Sequence, residues 1–307
     1  MSASRGCAMR GNTLKGLLFA SPWLIGFFGL TLYPILLSGY YGFTEFNVFQ
    51  PPKFVGMDNY VELFHDDLFW KSLRNTCYIT LIGTPINLIF AIFIAMLLNM
   101  KVKGMKIYRT VFYMPTIVPL AASTLLWIWI LNGQYGLLNN ILTKLGFYAP
   151  SWLGDPAYTK PSLIIIGVWA VGNVIVIFLA SLQDVPVSLY ESAEIDGANF
   201  FKKFLHITLP SISPIILFQL ILQVINGFQY FTQAYFIIGS SGGLNNSLIG
   251  GTENSLLFYA IYLYHNAFLY LKMGKASAMA WLMFLIIGFV TWVIFRISKK
   301  WVTYGGE

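Results

Sequence analysis

Six apolar runs alternate with polar connectors along this 307-residue chain. They lie at about residues 14–41, 76–100, 111–131, 163–182, 212–238 and 276–295. Each holds roughly twenty apolar residues, the length that crosses a bilayer as a helix. The first run has a second reading, as a cleaved signal peptide. It is long for such a core, contains Pro22 and Pro34, and lacks a small-x-small cleavage site after a short core. The pattern therefore predicts an all-α polytopic membrane protein with six spans. Residues 1–13 and 301–307 form short polar tails, and residues 14–300 form the membrane domain.

Ser255–Tyr270 fits neither class. It is aromatic and half polar, with Phe258, Tyr259, Tyr262, Tyr264, Phe268 and Tyr270 around His265 and Asn266. Rings of this kind favour the membrane–water interface. The expectation is an amphipathic segment lying on or just inside one face, with a seventh span as the other reading. Prolines within the first, third and fifth runs remove backbone hydrogen bonds. They read either as ordinary membrane-helix kinks or as broken helices around a cavity.

Composition supports the membrane assignment. The chain is 57% hydrophobic and 10% charged, against roughly 25% charged in soluble domains. The net charge of +7 comes with no basic stripe or aromatic–basic interleaving, so nucleic acid is not an expected partner. The positive charge instead orients the chain. Twelve Lys and Arg fall on the side that holds both termini, the turn at Lys101–Arg109 and Lys202–Lys203, and seven fall on the other. That asymmetry predicts cytoplasmic termini. Cys7 and Cys77 make no disulfide framework, and His65, His206 and His265 lie far apart, so no metal site is expected.

Between the fourth and fifth runs stands a polar island, Glu191–Pro210, reading ESAEIDGANFFKKFLHITLP. Pro186–Tyr190 reads as the lead-in to a helix. Glu191, Glu194 and Asp196 then put acidity near the helix start, where the dipole is positive. Gly197 breaks the helix or turns the chain through positive φ. Phe200, Phe201, Phe204 and Leu205 follow at helical spacing, with Lys202 and Lys203 on another side. On the residues alone this is either an interfacial connector or a docking element on the cytoplasmic face.

The pattern E-x-A-x-x-x-G, nine residues, then I-x-L-P is met here by Glu191, Ala193, Gly197, Ile207, Leu209 and Pro210. It resembles the coupling-loop signature of importer permeases of the ATP-binding cassette class. Ser192 stands where that family often has Ala. YRTVFYMPTIVPLAAS, LQDVPVSLYESAEIDGA and GKASAMAWLMFLI are similar to the third-span start, fourth-span exit and last span of the sugar-uptake branch. The resemblance covers about residues 14–300 and implies the type I importer fold in its minimal six-span form, with residues 186–210 as the coupling loop. It implies a second, homologous permease subunit, two cytoplasmic ATPase subunits that bind ATP and magnesium, and an external solute-binding protein. It also implies that Glu191 pairs with an ATPase, that Gly197 permits the turn, and that Ala193, Ile195 and Ala198, with Asp196 beside them, sit in its groove.

No G-x-x-x-x-G-K-[ST] occurs, so this chain is expected to bind no nucleotide itself, and no catalytic group is placed for an enzyme. The Gly-rich stretch Gly239–Ser247 lacks the lysine and falls on the external side. The fourth run offers Asn173, a few residues after Trp169, and the fifth offers Gln219, Gln223, Asn226, Gln229, Tyr230 and Gln233, with Gly227 among them. Gln219, Gln223, Asn226 and Tyr230 recur at helical spacing and are expected to share one face. They read either as a solute pathway or as interhelical hydrogen-bonding glue. The resemblance implies that Asn173, Gln223, Gly227 and Tyr230 lie near sugar-contacting positions. None is charged, which suits a neutral di- or oligosaccharide; glycerol phosphate is the alternative solute. A proton-coupled secondary transporter is a further reading, but residues 163–182 and 212–238 contain no Asp or Glu.

Overall fold

The computed structural model describes residues 15–16, 18–240 and 249–303. Cys7, both extreme tails and most of the Gly239–Ser247 stretch lie outside the described residues. Among the described residues four helices are long and apolar enough to cross a membrane: Leu18–Tyr41, Asp67–Leu98, Phe200–Ser240 and Met273–Ser298. Two bent pairs raise the number to six if each is one span: Met105–Ile117 with Leu120–Ile130, and Pro156–Trp169 with Gly172–Gln183. A two-residue antiparallel ladder, Thr44–Glu45 on Lys53–Phe54, is a small departure from the all-α expectation.

Proline explains most of the irregularity. A proline offers no N–H to the carbonyl four residues before it. Three widened π-type turns, Phe27–Leu32, Ile79–Gly83 and Phe204–Thr208, each end two residues ahead of one, at Pro34, Pro85 and Pro210. The helix relaxes around the lost bond without breaking. A fourth, His265–Leu269, has no such proline. In the third span Pro115 and Pro119 do break the helix, and the two pieces meet at 99°. Val118, ahead of Pro119, is extended as that position requires.

The 50° bend in the fourth span has no proline at its break. The packing there depends on Gly172: a β-carbon on it would stand 2.5 Å from the Phe112 carbonyl oxygen. Only glycine lets the backbone of Met105–Tyr113 cross that closely.

The chain divides into two compact units. One comprises the described residues of Met1–His65 with Asn266–Leu282. There Gly274 lies under the Thr44 carbonyl, and Asn59 Nδ2 donates to the carbonyls of Gly42 and Thr44 at 3.0 and 2.9 Å. Lys275 Nζ, almost fully buried, meets Glu62 Oε1 at 3.0 Å, and Lys272 meets the same oxygen at 3.5 Å. Trp281 Nε1 donates to Ser38 Oγ at 3.2 Å.

The second unit holds Asp66–His265 and Met283–Glu307. Its core joins Leu88, Ala91, Ile94, Ala95 and Leu98 to Ile175, Phe178, Leu179, Leu182 and Ile212. Ala91 and Ala95, one turn apart, let the helices approach closely, as small residues do in membrane bundles. The opposite face of the same helix leaves Ile89 and Phe93 exposed, the surface expected to meet lipid.

Ser255–Tyr270 is divided, buried over its first part and exposed at its end. Leu257, Phe258, Tyr259 and Ile261 are wholly buried. Asn75 Nδ2 donates to the Asn254 and Leu257 carbonyls, each at 2.9 Å. Thr76 Oγ1 accepts from the Tyr259 N–H, and the Tyr262 hydroxyl donates to Asp66. The rings of Phe258, Tyr259 and Tyr262 fill protein, whereas Phe268 and Tyr270 at the end of the segment are exposed. The reason is the backbone: buried irregular chain needs partners for its polar groups, and the buried polar edge of the second helix provides them. The helical part, Tyr259–Tyr264 with His265–Leu269, reaches about 16 Å at 1.5 Å per residue. That is half of the ~30 Å needed to span.

Candidate functional site: a projecting two-helix segment and a polar interior

Glu191–Pro210 leads into a long helix. Phe200–Phe228 is continuous, roughly 43 Å at helical rise, against ~30 Å of hydrocarbon core, and its N-terminal end carries the polar and charged residues. Val187–Ile195 precedes it as a separate helix.

Between the two helices Gly197 has φ +73°, and the turn follows from its hydrogen bonds. The Ala198 N–H reaches the Ala193 carbonyl at 2.8 Å, and the Gly197 N–H reaches that of Glu194 at 3.0 Å. This is a Schellman closure, which needs a left-handed residue at the glycine. Asn199 then caps the next helix by accepting from the Lys202 N–H. Lys203 Nζ lies 2.7 Å from Glu194 Oε1, fastening one short helix to the other. Tyr190 and Thr208 hydroxyls meet at 2.9 Å.

The acidic residues sit differently from the sequence expectation. Pro186 starts the helix at Val187, so Glu191 is in its middle, Glu194 in its last turn and Asp196 at its C-terminal cap. There the helix dipole is negative and acids are disfavoured. Lys203 compensates: its hydrogen bond and charge hold the Glu194 carboxyl below its ordinary value. Glu191 and Asp196 are exposed. Ile195 is 88% exposed, and Phe200, Phe201 and Leu205 are also exposed. Ala193 and Ala198 are half-buried and line an open hollow with Asp196, Lys202, Lys203 and His206.

Of the four residues expected on one face, Gln219, Gln223 and Asn226 keep helical spacing within Leu209–Phe228 and Tyr230 does not. Trp169 packs edge-on against Trp127, centroids 5.9 Å apart, and Asn173 is exposed just past the fourth-span break. Gln219 is buried, Gln223 half-buried and Asn226 exposed. The regular helix ends at Phe228, so Tyr230 leaves the predicted face. Its ring meets Phe258 at 5.1 Å instead. Gly227 lies directly against Thr80.

Gln219 Nε2, Gln223 Nε2 and the Tyr230 hydroxyl are buried without a hydrogen-bond partner, and so are Thr80 Oγ1, Asn87 Oδ1 and Trp127 Nε1. Such atoms are costly to leave unpaired. Thr80, Asn87 and Trp127 were missed by sequence reasoning, because Thr, Asn and Trp in an apolar run carry no spacing signal. The prolines nearby were the available clue: Thr80 sits within the π-turn that precedes Pro85.

Comparison with known proteins places this geometry. The profile of the family described as "Binding-protein-dependent transport system inner membrane component" matches residues 87–304. The chain is 41% identical over 299 residues to the probable ABC transporter permease protein YesP of Bacillus subtilis (strain 168), covering 97% of this chain and 94% of that protein. It is 31% identical to the sulfoquinovosyl glycerol transport system permease protein SmoG of Agrobacterium fabrum (strain C58 / ATCC 33970), covering 94% and 92%. Its fold is that of a chain of a bacterial ABC transporter involved in the import of the acidic polysaccharide alginate, with a TM-score of 0.78 at 21% identity over 95% of this chain and 98% of that one. This chain therefore belongs to the inner-membrane components of binding-protein-dependent transport systems, as a non-enzymatic permease subunit of an ATP-binding cassette transporter with the type I importer fold.

Proposed function

We propose that this chain is one permease half of an ATP-driven sugar importer that carries a di- or oligosaccharide by alternating access. The observation that carries the reading is the Glu191–Pro210 segment, which presents Ile195, Phe200 and Phe201 to solvent on a rigid two-helix frame. Exposed apolar side chains on a braced, projecting segment are what a docking element requires.

Two ATPase subunits, which bind ATP and magnesium, close on this segment and a matching one from a second, homologous permease subunit. Glu191 and Asp196 offer charge to the ATPase, and Ala193, Ile195 and Ala198 pack in its groove around the Gly197 turn. The segment and both termini lie in the cytoplasm, and a binding protein delivers solute to the other face.

The solute passes Trp169, Asn173, Gln219, Gln223, Asn226, Gly227 and Tyr230. The unpartnered atoms of Gln219, Gln223 and Tyr230 support this, because neutral donors and acceptors next to aromatic faces suit sugar hydroxyls. SmoG, named for a glycoside system, supports the sugar class. The family membership disfavours the secondary-transporter reading.

The test is uptake by proteoliposomes holding the full complex. Glu191→Ala should abolish ATP-dependent uptake and weaken ATPase copurification, with insertion of the chain unchanged. Wild-type uptake by that variant would refute the coupling role, and uptake by this chain alone would refute the subunit reading.

A further inference from the structure

The turn between the second and third spans forms a basic groove with no assigned partner. The groove holds about 580 Å³ and is lined by Lys101, Lys103, Lys106 and Arg109, together with Asn99 and Gln183, and no Asp or Glu lines it. Four cations thus face one hollow. None of them takes part in an ion pair among the described residues.

One wall of the groove is fixed, and the three lysines beside it are exposed. Arg109 Nη2 donates to the Leu98 carbonyl at 3.0 Å and so caps the end of the second helix. That bond anchors the guanidinium, and its Nε is buried without a partner. Gly104, at φ +83°, reverses the chain so that Met105–Tyr113 starts beside the groove. On this helix Lys106 and Arg109 lie three apart on one face. Ile107, Tyr108 and Val111 lie on another and are 70, 55 and 55% exposed. Charge and bare apolar surface therefore meet along one short helix at the end of the bundle.

We propose that this groove binds the phosphate headgroup of an anionic phospholipid, with its acyl chains along Ile107, Tyr108 and Val111. The lysines supply mobile point charges and the anchored guanidinium a fixed one, with Nη2 held by the Leu98 carbonyl; charge-assisted contacts of this kind are what phosphate oxygens take. Basic pockets between membrane helices bind such headgroups. A soluble phosphate would account for the cations but not for the apolar strip beside them. An acidic protein surface would leave that strip facing lipid with nothing to hold there. The inference holds whichever solute the importer carries.

The test is native mass spectrometry of the full chain, delipidated in detergent and mixed with phosphatidylglycerol or phosphatidylcholine of equal chain length. Phosphatidylglycerol should be retained selectively. The combined variant Lys101→Gln, Lys103→Gln, Lys106→Gln should lower that retention roughly tenfold or more, with circular dichroism unchanged. Lys299→Gln with Lys300→Gln, outside the groove, should leave it intact. Equal retention of the two lipids, or equal loss in both variants, would overturn the proposal. Displacement of the lipid by millimolar inorganic phosphate would make this a general anion site, and unchanged lipid retention in the triple variant would remove the lysines from lipid binding; either outcome overturns the proposal. Should the triple variant not fold, the single variants Lys101→Gln and Lys106→Gln test the same point: each should lower phosphatidylglycerol retention, and unchanged retention in both would overturn the proposal.

Discussion

Gly227 and Thr80 pack so closely that a β-carbon on Gly227 would stand 2.7 Å from Thr80 Oγ1 and 3.1 Å from its methyl. Thr80 belongs to the π-turn before Pro85, and its hydroxyl has no partner. Gly227→Ala should therefore overpack this crossing and cost about 1–3 kcal/mol. Thermal unfolding in detergent will read it. Combining it with Thr80→Ala, which removes both nearest atoms, should recover most of the loss. No recovery would place the strain elsewhere.

At Gly197 the backbone alone is at stake, since nothing lies within 4 Å of a β-carbon there and φ is +73°. Gly197→Val should cost about 1–2 kcal/mol in the turn, and Gly197→Asn clearly less, because Asn tolerates this region. Limited proteolysis within residues 186–210 should rank the variants Val, Asn, Gly from most to least cleaved. Equal rates would show that the turn does not depend on φ.

Tyr230 separates architecture from transport. Its hydroxyl is buried and unpaired, so Tyr230→Phe removes a desolvated group without breaking a bond. The melting temperature should hold or rise. Uptake should fall several-fold if the hydroxyl meets solute. Unchanged uptake in both Tyr230→Phe and Gln223→Ala would remove these two residues from the pathway.

Glu62 gives a pH signature. Burial raises its carboxyl, but the hydrogen bond and charge of Lys275, with Lys272 behind, outweigh that and hold it below its ordinary value. A carboxylate depressed on folding stabilises fully above its unfolded value, near 4.5, and loses that contribution as pH falls through the depressed one. Glu62 is about half exposed, so the effect is below roughly 1 kcal/mol. Melting curves from pH 6 to pH 3 should show an acid-side loss in the wild type that is smaller in Glu62→Gln. Parallel curves would assign the acid loss to other carboxylates.

Asn75 should prove structural. Asn75→Ala removes both donors to the Asn254 and Leu257 carbonyls and should cost about 1–3 kcal/mol. Hydrogen exchange should rise in residues 254–265 before the rest of the chain. Uniform exchange would mean that this segment is held by its aromatic packing alone.

What the sequence determined by itself is local or short-range. Long apolar runs can only be covered by lipid, which set the fold class. The twenty-residue pattern from Glu191 to Pro210 identified the family and put a two-helix turn at Gly197. Each of these rests on residues within a few turns of one another. The tertiary structure alone decided how those pieces meet. It placed Glu194 and Asp196 at the end of a helix, because Pro186 starts that helix early and Lys203 compensates the misplaced charge. It turned Tyr259 and its neighbours inward, because Asn75, 182 residues from Leu257, offers the hydrogen bonds that irregular backbone needs. It bent the fourth span without a proline, where a backbone carbonyl of another helix crosses at Gly172. It set Thr80 under Gly227 and left Tyr230 beyond the helix whose spacing it shares. Hydrophobic periodicity records which face is apolar; it does not record which distant atom will satisfy a buried donor.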